Sequence, residues 1–354
     1  MELMNNRLNL SQCANLIATV PSVRFMLTGN PGIGKTSVME ELKRRFPSYS
    51  AGYIDVGNLD LGDTVMPMPD KELKVTSYYP NEIFNVHLGK PVILMLDEFT
   101  KGGQSVKNML HPMLEVNNPR LGNIPIHPDS IIFLTGNGVD CGLGDSMKAH
   151  SMNRISELEV RSPTSDEWIS WGINNGIDES VLAWIREFNH ALADYRDEGQ
   201  ESNPYIFNPR KGQITHYVSP RSLEKASDII KKRSELDDMS LMSALSGTIG
   251  KQAAVDMQAF IEFKDQLPNF DEVCKTPDKV NVPKTLGPKY VFVYASIARI
   301  TNDNLENVMK YLRRFEVEFQ ALFAVCLSKV ESKRDICLKN KNFENWIKEN
   351  IDII

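Results

Sequence analysis

The sequence predicts an α/β fold: a five-stranded parallel sheet sandwiched by helices, followed by an all-helical region. Three observations predict it. The stretch Gly29-Asn30-Pro31-Gly32-Ile33-Gly34-Lys35-Thr36 lies between a largely apolar run, Val23 to Leu27 with Arg24 inside it, and a helix-like run from Ser37 to Lys43. Two further apolar runs, Val92 to Leu96 and Ile131 to Leu134, end in polar residues. Runs apolar along their whole length fit strands buried on both faces of a parallel sheet. Past Ser162-Pro163-Thr164 the apolar residues fall at helical spacing instead.

Residues 7–20 predict a short helix leading into the first strand, with Leu8, Leu10, Ala14, Leu16 and Ile17 as its apolar positions. The next stretch fits G-x-x-x-x-G-K-[ST] without mismatch, in the strand–loop–helix context that gives the pattern meaning. Glycines let the backbone curl so that successive N–H groups face phosphate oxygens, and the helix start adds partial positive charge. Gly29, Asn30, Pro31, Gly32, Ile33, Gly34, Lys35, Thr36 and Ser37 are therefore the candidate nucleotide-binding residues. Lys35 suits the β- and γ-phosphates, and the Thr36 hydroxyl suits Mg²⁺.

The helix from Ser37 is expected to stop near Arg45, before Pro47, and Tyr53-Ile54-Asp55-Val56 to form a second strand. Residues 57–90, with Met66-Pro67-Met68-Pro69 and Tyr78-Tyr79-Pro80, read as an irregular surface loop or insertion. The third strand ends in Asp97-Glu98, at the sheet edge where open α/β sheets bind ligands. Asp97 is the candidate Mg²⁺ carboxylate and Glu98 the candidate base that polarises water. Val106 to Val116 predicts a helix. The fourth strand, Ser130 to Gly136, ends at Asn137, which is either a water-orienting residue or an ordinary turn residue. Ser156 to Val160 predicts a fifth strand just after Asn153-Arg154.

From Asp166 onward, Trp168, Trp171, Trp184, Ile185 and Phe188 read as core positions. Residues 196–218 read as loop. Ser219-Pro220-Arg221-Ser222 then opens a helix, Ser219 as cap and Pro220 at the first turn. A cation at a helix start is mildly unfavourable. Arg221 is thus either a phosphate-facing residue or simply exposed. Residues 239–266 predict one helical stretch in which Gly247 and Gly250 allow close approach. The prolines of 268–288 mark a connection to a last helical segment. The expected domains are 1–165, 166–267 and 268–354.

A formal net charge of −6 over 354 residues supplies no general field for nucleic acid. Five scattered cysteines without C-x-x-C spacing predict reduced thiols in a cytoplasmic protein. The first residues lack a signal-peptide layout, and no apolar run reaches membrane-spanning length.

The five signals in this order resemble the AAA+ ATPases, and within them the MoxR-like branch of bacteria and phages. Gly29 to Thr36 is similar to Walker A, Leu96-Asp97-Glu98-Phe99 to Walker B, and Leu134-Thr135-Gly136-Asn137 to the sensor 1 strand. Met152-Asn153-Arg154-Ile155 resembles the segment carrying the arginine finger, with Asn153 where an acid is usual. Ser219-Pro220-Arg221 resembles sensor 2. The resemblance implies ATP and Mg²⁺ as ligands and a homo-oligomeric ring, usually hexameric. It implies catalytic roles for Glu98, Asn137, Arg154 and Arg221, remodelling of a protein target, and often a partner with a von Willebrand factor A domain. A nucleic-acid-dependent translocase and a nucleotide-gated assembly scaffold are the competing readings. Stimulation of turnover by DNA or RNA marks the first. Persistence of function without Glu98 marks the second.

Overall fold

The computed structural model describes residues 7–137, 153–211, 216–265 and 267–350. Cys141, Met152 and Gly212 lie outside the described residues. The chain divides into two compact units, residues 1–162 with 209–212, and residues 163–208 with 213–354.

The first unit begins with α1 (Leu10–Thr19), capped reciprocally by Asn9 and Gln12. The first strand β1 (Phe25–Thr28) is buried throughout. It feeds the glycine-rich loop and α2 (Ser37–Arg45), whose last turn carries Lys43, Arg44 and Arg45 against the negative end of the helix dipole. Strand β2 (Ser50–Asp55) follows at one sheet edge.

The stretch expected to be irregular instead contains an antiparallel hairpin of β3 (Val65–Asp70) and β4 (Val75–Pro80). Pro67, Pro69 and Pro80 fall on alternate residue pairs of this hairpin. At such pairs a missing N–H costs the ladder nothing, so proline does not exclude a strand here.

Strand β5 (Val92–Asp97) is next, followed by α3 (Gln104–Leu110). The expected helix to Val116 is shorter: His111–Leu114 tightens into a 3-10 turn containing Pro112. A two-residue hairpin, β6 (Arg120–Leu121) and β7 (Ile124–Pro125), precedes β8 (Ile131–Gly136). Strand β9 (Ser156–Glu159) closes the sheet.

The sheet order is β2-β5-β8-β1-β9, with every pairing parallel. Alternate residues serve opposite faces. Ile93, Met95, Ile131 and Phe133 pack with Ile17, Val38 and Leu42 of α1 and α2. Leu94, Leu96, Ile132 and Leu134 pack with Val106 and Leu110 of α3 and with Met113 and Leu114. Helices thus cover both faces, as the continuous apolar runs require.

The second unit is helical. It contains α4 (Ser165–Asn174), α5 (Glu179–Glu187), α6 (Pro220–Lys231), α7 (Asp238–Ile249) and α8 (Lys251–Asp265). Then come α9 (Phe270–Lys275), α10 (Leu286–Arg299), α11 (Leu305–Leu312), α12 (Val317–Ser328), α13 (Arg334–Lys339) and α14 (Lys341–Glu349). Gly250 divides the expected helical stretch into α7 and α8. A Cβ there would lie 2.7 Å from the His216 carbonyl, whereas none would be obstructed at Gly247. Residues 166–267 and 268–354 share one hydrophobic core running from Trp168 to Trp346. Helix α10 lies at its centre, buried from Gly287 to Ile297 on several faces and packed on α5, α8 and α12. Trp184 of α5, fully buried, stacks on Phe188 at 5.2 Å. The proline-bearing connection at 268–288 includes the short helix α9, which buries Phe270 and Val273.

Candidate nucleotide-binding site

Parallel strands deliver their carboxyl ends to one edge of the sheet. Strand β8 lies between β1 and β5, and Thr28 is in register with Gly136. The glycine-rich loop, Asn137 and Asp97-Glu98 therefore leave the sheet side by side.

The loop is built for close backbone approach. A Cβ on Gly29 would sit 2.6 Å from the Val160 carbonyl. Gly34 holds φ of +100°, where a side chain is strained. Ile33 is buried and anchors the loop, and Asn30 is buried beside it. Lys35 and Thr36 are half-buried, and Ser37, the first residue of α2, is exposed. The Lys35 ammonium donates to the carbonyls of Gly29 at 2.9 Å and Asn30 at 3.1 Å. It is folded over the loop that it serves. The Thr36 hydroxyl makes no capping bond to α2.

Asp97 is gripped from both neighbouring strands. The Thr135 hydroxyl donates to Oδ1 from β8. The Tyr53 hydroxyl donates to Oδ2 from β2 at 2.6 Å. The Tyr53 phenol is held well above its ordinary pKa by burial first, then by its bond to Asp97 and the charges of Asp97, Asp55 and Glu98. Asp55 is in register with Asp97. Its Oδ2 accepts from Asn58 at 2.8 Å, while its Oδ1 is buried with no hydrogen-bond partner among the described residues.

Glu98 occupies the left-handed region, φ +49° and ψ +35°, uncommon for a residue with a side chain. Its N–H donates to Thr135 Oγ1 at 3.2 Å, and Lys101 pairs with its Oε1 at 2.7 Å. One hydroxyl, that of Thr135, thus donates to the Asp97 carboxylate and accepts from the Glu98 main chain.

Asn137 follows β8 directly and is half-buried. Arg154 lies elsewhere. It precedes Ser156, which is in register with Phe25 at the first residue of β1, the end away from the glycine-rich loop. Its partners are not the acids of the strand that follows it, Glu157 and Glu159. Its guanidinium meets the His111 ring and lies 3.5 Å from Glu115. The 3-10 turn bearing His111 is tied to the sheet by buried Arg24, which donates to Met113 O at 3.3 Å and Pro21 O at 2.8 Å. Burial lowers the Arg24 pKa. Arg221, in the helical unit, is exposed in the first turn of α6. Ser219 caps that helix, accepting from Ser222 N at 3.2 Å.

Tyr53, Thr135, Lys101 and Asp55 were not singled out by motif. Thr135 alternates with Asn137, and Tyr53 with Asp55, so strand periodicity was the available signal.

The donors at this edge are oxygens: one hydroxyl at Thr36 and the carboxylate of Asp97, with an orphaned buried oxygen on Asp55 nearby. Hard oxygens in small number fit Mg²⁺, which keeps several waters and borrows phosphate oxygens. Among the described residues, no group of three or more His, Cys, Asp or Glu could hold a metal ion by itself. Cys13, Cys274, Cys326 and Cys337 are free thiols, with burial raising Cys13 and Cys326 to about 11. No helix among the described residues is long and apolar enough to cross a membrane.

Residues 24–149 match the family model of the AAA domain, dynein-related subfamily. Among solved structures, NtrX from Brucella abortus in complex with ADP aligns with a TM-score of 0.38 and 11% identity, covering 97% of this chain and 68% of that one. The search of curated proteins gives no match.

Proposed function

We propose that this chain is an AAA+ ATPase that binds ATP with Mg²⁺ at the carboxyl edge of its sheet and couples hydrolysis to remodelling of a protein target. One observation carries the reading: the glycine-rich loop and the Asp97-Glu98 pair leave the sheet on either side of β8. That arrangement suits a phosphate chain held by one element and attacked by water from the other.

In this reading the loop N–H groups and Lys35 bind the phosphates. Lys35 exchanges its two carbonyl partners for phosphate oxygens, a charge-assisted contact. Thr36 and Asp97 would hold Mg²⁺, which when bound neutralises charge on the β- and γ-phosphates. Glu98 takes a proton from the attacking water, and Asn137 orients that water. Arg221 reads the bound nucleotide from the helical unit. Arg154, remote from the loop of its own chain, serves the site of a neighbouring copy, in the ring that the AAA+ resemblance implies. A hexamer and a von Willebrand factor A partner are the finer expectations of the MoxR-like resemblance.

The test is Glu98→Gln. It should bind ATP as the unaltered protein does and release no phosphate. The target is then sought among proteins retained by this ATP-bound variant. Phosphate release equal to that of the unaltered protein would remove Glu98 as the base.

A further inference from the structure

We infer that Tyr53 is a positioning residue for the carboxylate of Asp97, fixing its plane so that Mg²⁺ is taken up with ATP. The inference rests on the nucleotide-site reading above.

Asp97 is the last residue of β5, where the strand ends and side chains lose lateral support. The terminal torsion of aspartate is soft and roughly two-fold, so an unrestrained carboxylate samples many planes. Here β2 and β8, the two strands flanking β5, each send one hydroxyl to it. Thr135 donates to Oδ1, and Tyr53 donates to Oδ2 at 2.6 Å. A carboxylate oxygen has about two lone-pair sites, so one donor on each leaves each able to meet a metal-bound water. Two donors on two different oxygens define a plane; one alone leaves a swivel.

The tyrosine is not there for packing. Gly52 and Ile54 on either side are buried, while Tyr53 is 50% exposed. Its register partner is Met95, so the ring leans along the sheet by two residues to reach Asp97. A phenylalanine would cover the same surface without reaching the carboxylate. The distinguishing property of tyrosine at this position is its hydroxyl. Partners that orient a metal-binding side chain typically change metal affinity about 10- to 100-fold when removed. A carboxylate acting through metal-bound water belongs at the lower end of that range.

The experiment measures affinity for a fluorescent ATP analogue with the full chain, first in EDTA and then across a Mg²⁺ titration. The unaltered protein, Tyr53→Phe and Thr135→Val are compared, with thermal melts to establish that each is folded. Metal-free affinity should be the same in all three. The Mg²⁺ concentration that half-restores tight binding should rise about tenfold in Tyr53→Phe, and Thr135→Val should shift it in the same direction. Mn²⁺ titration followed by electron paramagnetic resonance gives the same comparison without hydrolysis. A Tyr53→Phe titration that superimposes on that of the unaltered protein overturns the inference. So does an equal loss of metal-free affinity, which would make Tyr53 a general support of the loop. Absence of nucleotide binding in the unaltered protein would instead remove the nucleotide site itself, and this inference with it.

Discussion

Lys101 Nζ lies 2.7 Å from Glu98 Oε1, one turn further along the same chain segment. The proposed base is therefore engaged by a cation before any water reaches it. Both side chains are about two-fifths exposed, so the pair contributes at most ~1 kcal/mol to stability. Its effect on chemistry is larger in kind, because the ammonium occupies an oxygen that must accept a proton. Lys101→Met should raise the steady-state rate of phosphate release about two- to fivefold, an activation difference within that same ~1 kcal/mol. ATP affinity and melting temperature should stay near their original values. A fall in rate beyond tenfold would show that Lys101 assists the reaction directly.

Lys35 is likewise engaged in advance, by the Gly29 and Asn30 carbonyls. Removing it takes away a charged phosphate contact worth about 1.5–3 kcal/mol. Lys35→Ala should weaken ATP binding about 10- to 100-fold, as measured by titration calorimetry. The fold should persist, since Ile33 rather than Lys35 anchors the loop. Unchanged affinity in a folded variant would end the phosphate-loop assignment.

The parts of this site legible in the sequence are those whose geometry is local. The curl of Gly29 to Thr36 is set by its own residues, and the buried strands β5 and β8 are set by unbroken apolar runs. The Ser219 cap is set by Pro220 and the serine itself. What stayed hidden needed strand order. Periodicity turns Tyr53 away from buried Gly52 and Ile54, yet only the β2-β5-β8 order brings it and Thr135 to the same carboxylate. Arg154 illustrates the same limit. Glu157 and Glu159 are close in sequence, but a 3-10 turn far upstream supplies His111 and Glu115. The hairpin at 65–80 was masked for a different reason. Met-Pro-Met-Pro reads as a broken strand unless the prolines are known to share one set of alternate pairs.

The outer edge of that hairpin is fastened at Tyr78. Its N–H donates to Asn123 Oδ1 and its carbonyl accepts from Asn123 N–H, each at 2.9 Å. Gly122 makes this approach possible, with φ +57° and space for a Cβ only 2.3 Å from the Tyr78 carbonyl. Gly122→Ala should therefore separate the two hairpins at a cost of ~1–3 kcal/mol. Hydrogen exchange should quicken at the Tyr78 and Asn123 amides, while ATP affinity is unchanged. Unaltered protection there would mean that the turn relaxes without releasing Tyr78.

Arg154 tests the proposed assembly. It stands at the amino end of β9, beside Phe25, whereas the glycine-rich loop departs from the other end of β1 at Thr28. Its own phosphate site is thus at the opposite edge of the sheet. The His111 ring and the partly exposed Glu115 hold it at rest, and a pair with Glu115 so open to solvent is weak enough to exchange for phosphate. An arginine supplied by a neighbour stabilises charge on the departing γ-phosphate and ties turnover to assembly. Such fingers contribute about 10³- to 10⁵-fold to rate in other phosphoryl-transfer enzymes. Arg154→Ala should keep ATP affinity and lose turnover by about 10²-fold, below that range because ring contacts form reversibly. Lys35→Ala, its affinity weakened as above, should stay largely empty at an ATP concentration that just fills unaltered sites, while still offering its arginine. When the two inactive variants are mixed, some sites pair an intact loop from one with an intact Arg154 from the other. Phosphate release should then return, rising with the proportion of mixed contacts and vanishing on dilution below the assembly concentration. No recovery, with co-assembly shown by cross-linking of differently tagged chains, would rule out action between subunits. Full activity of Arg154→Ala alone would reduce Arg154 to a brace for His111 and Glu115.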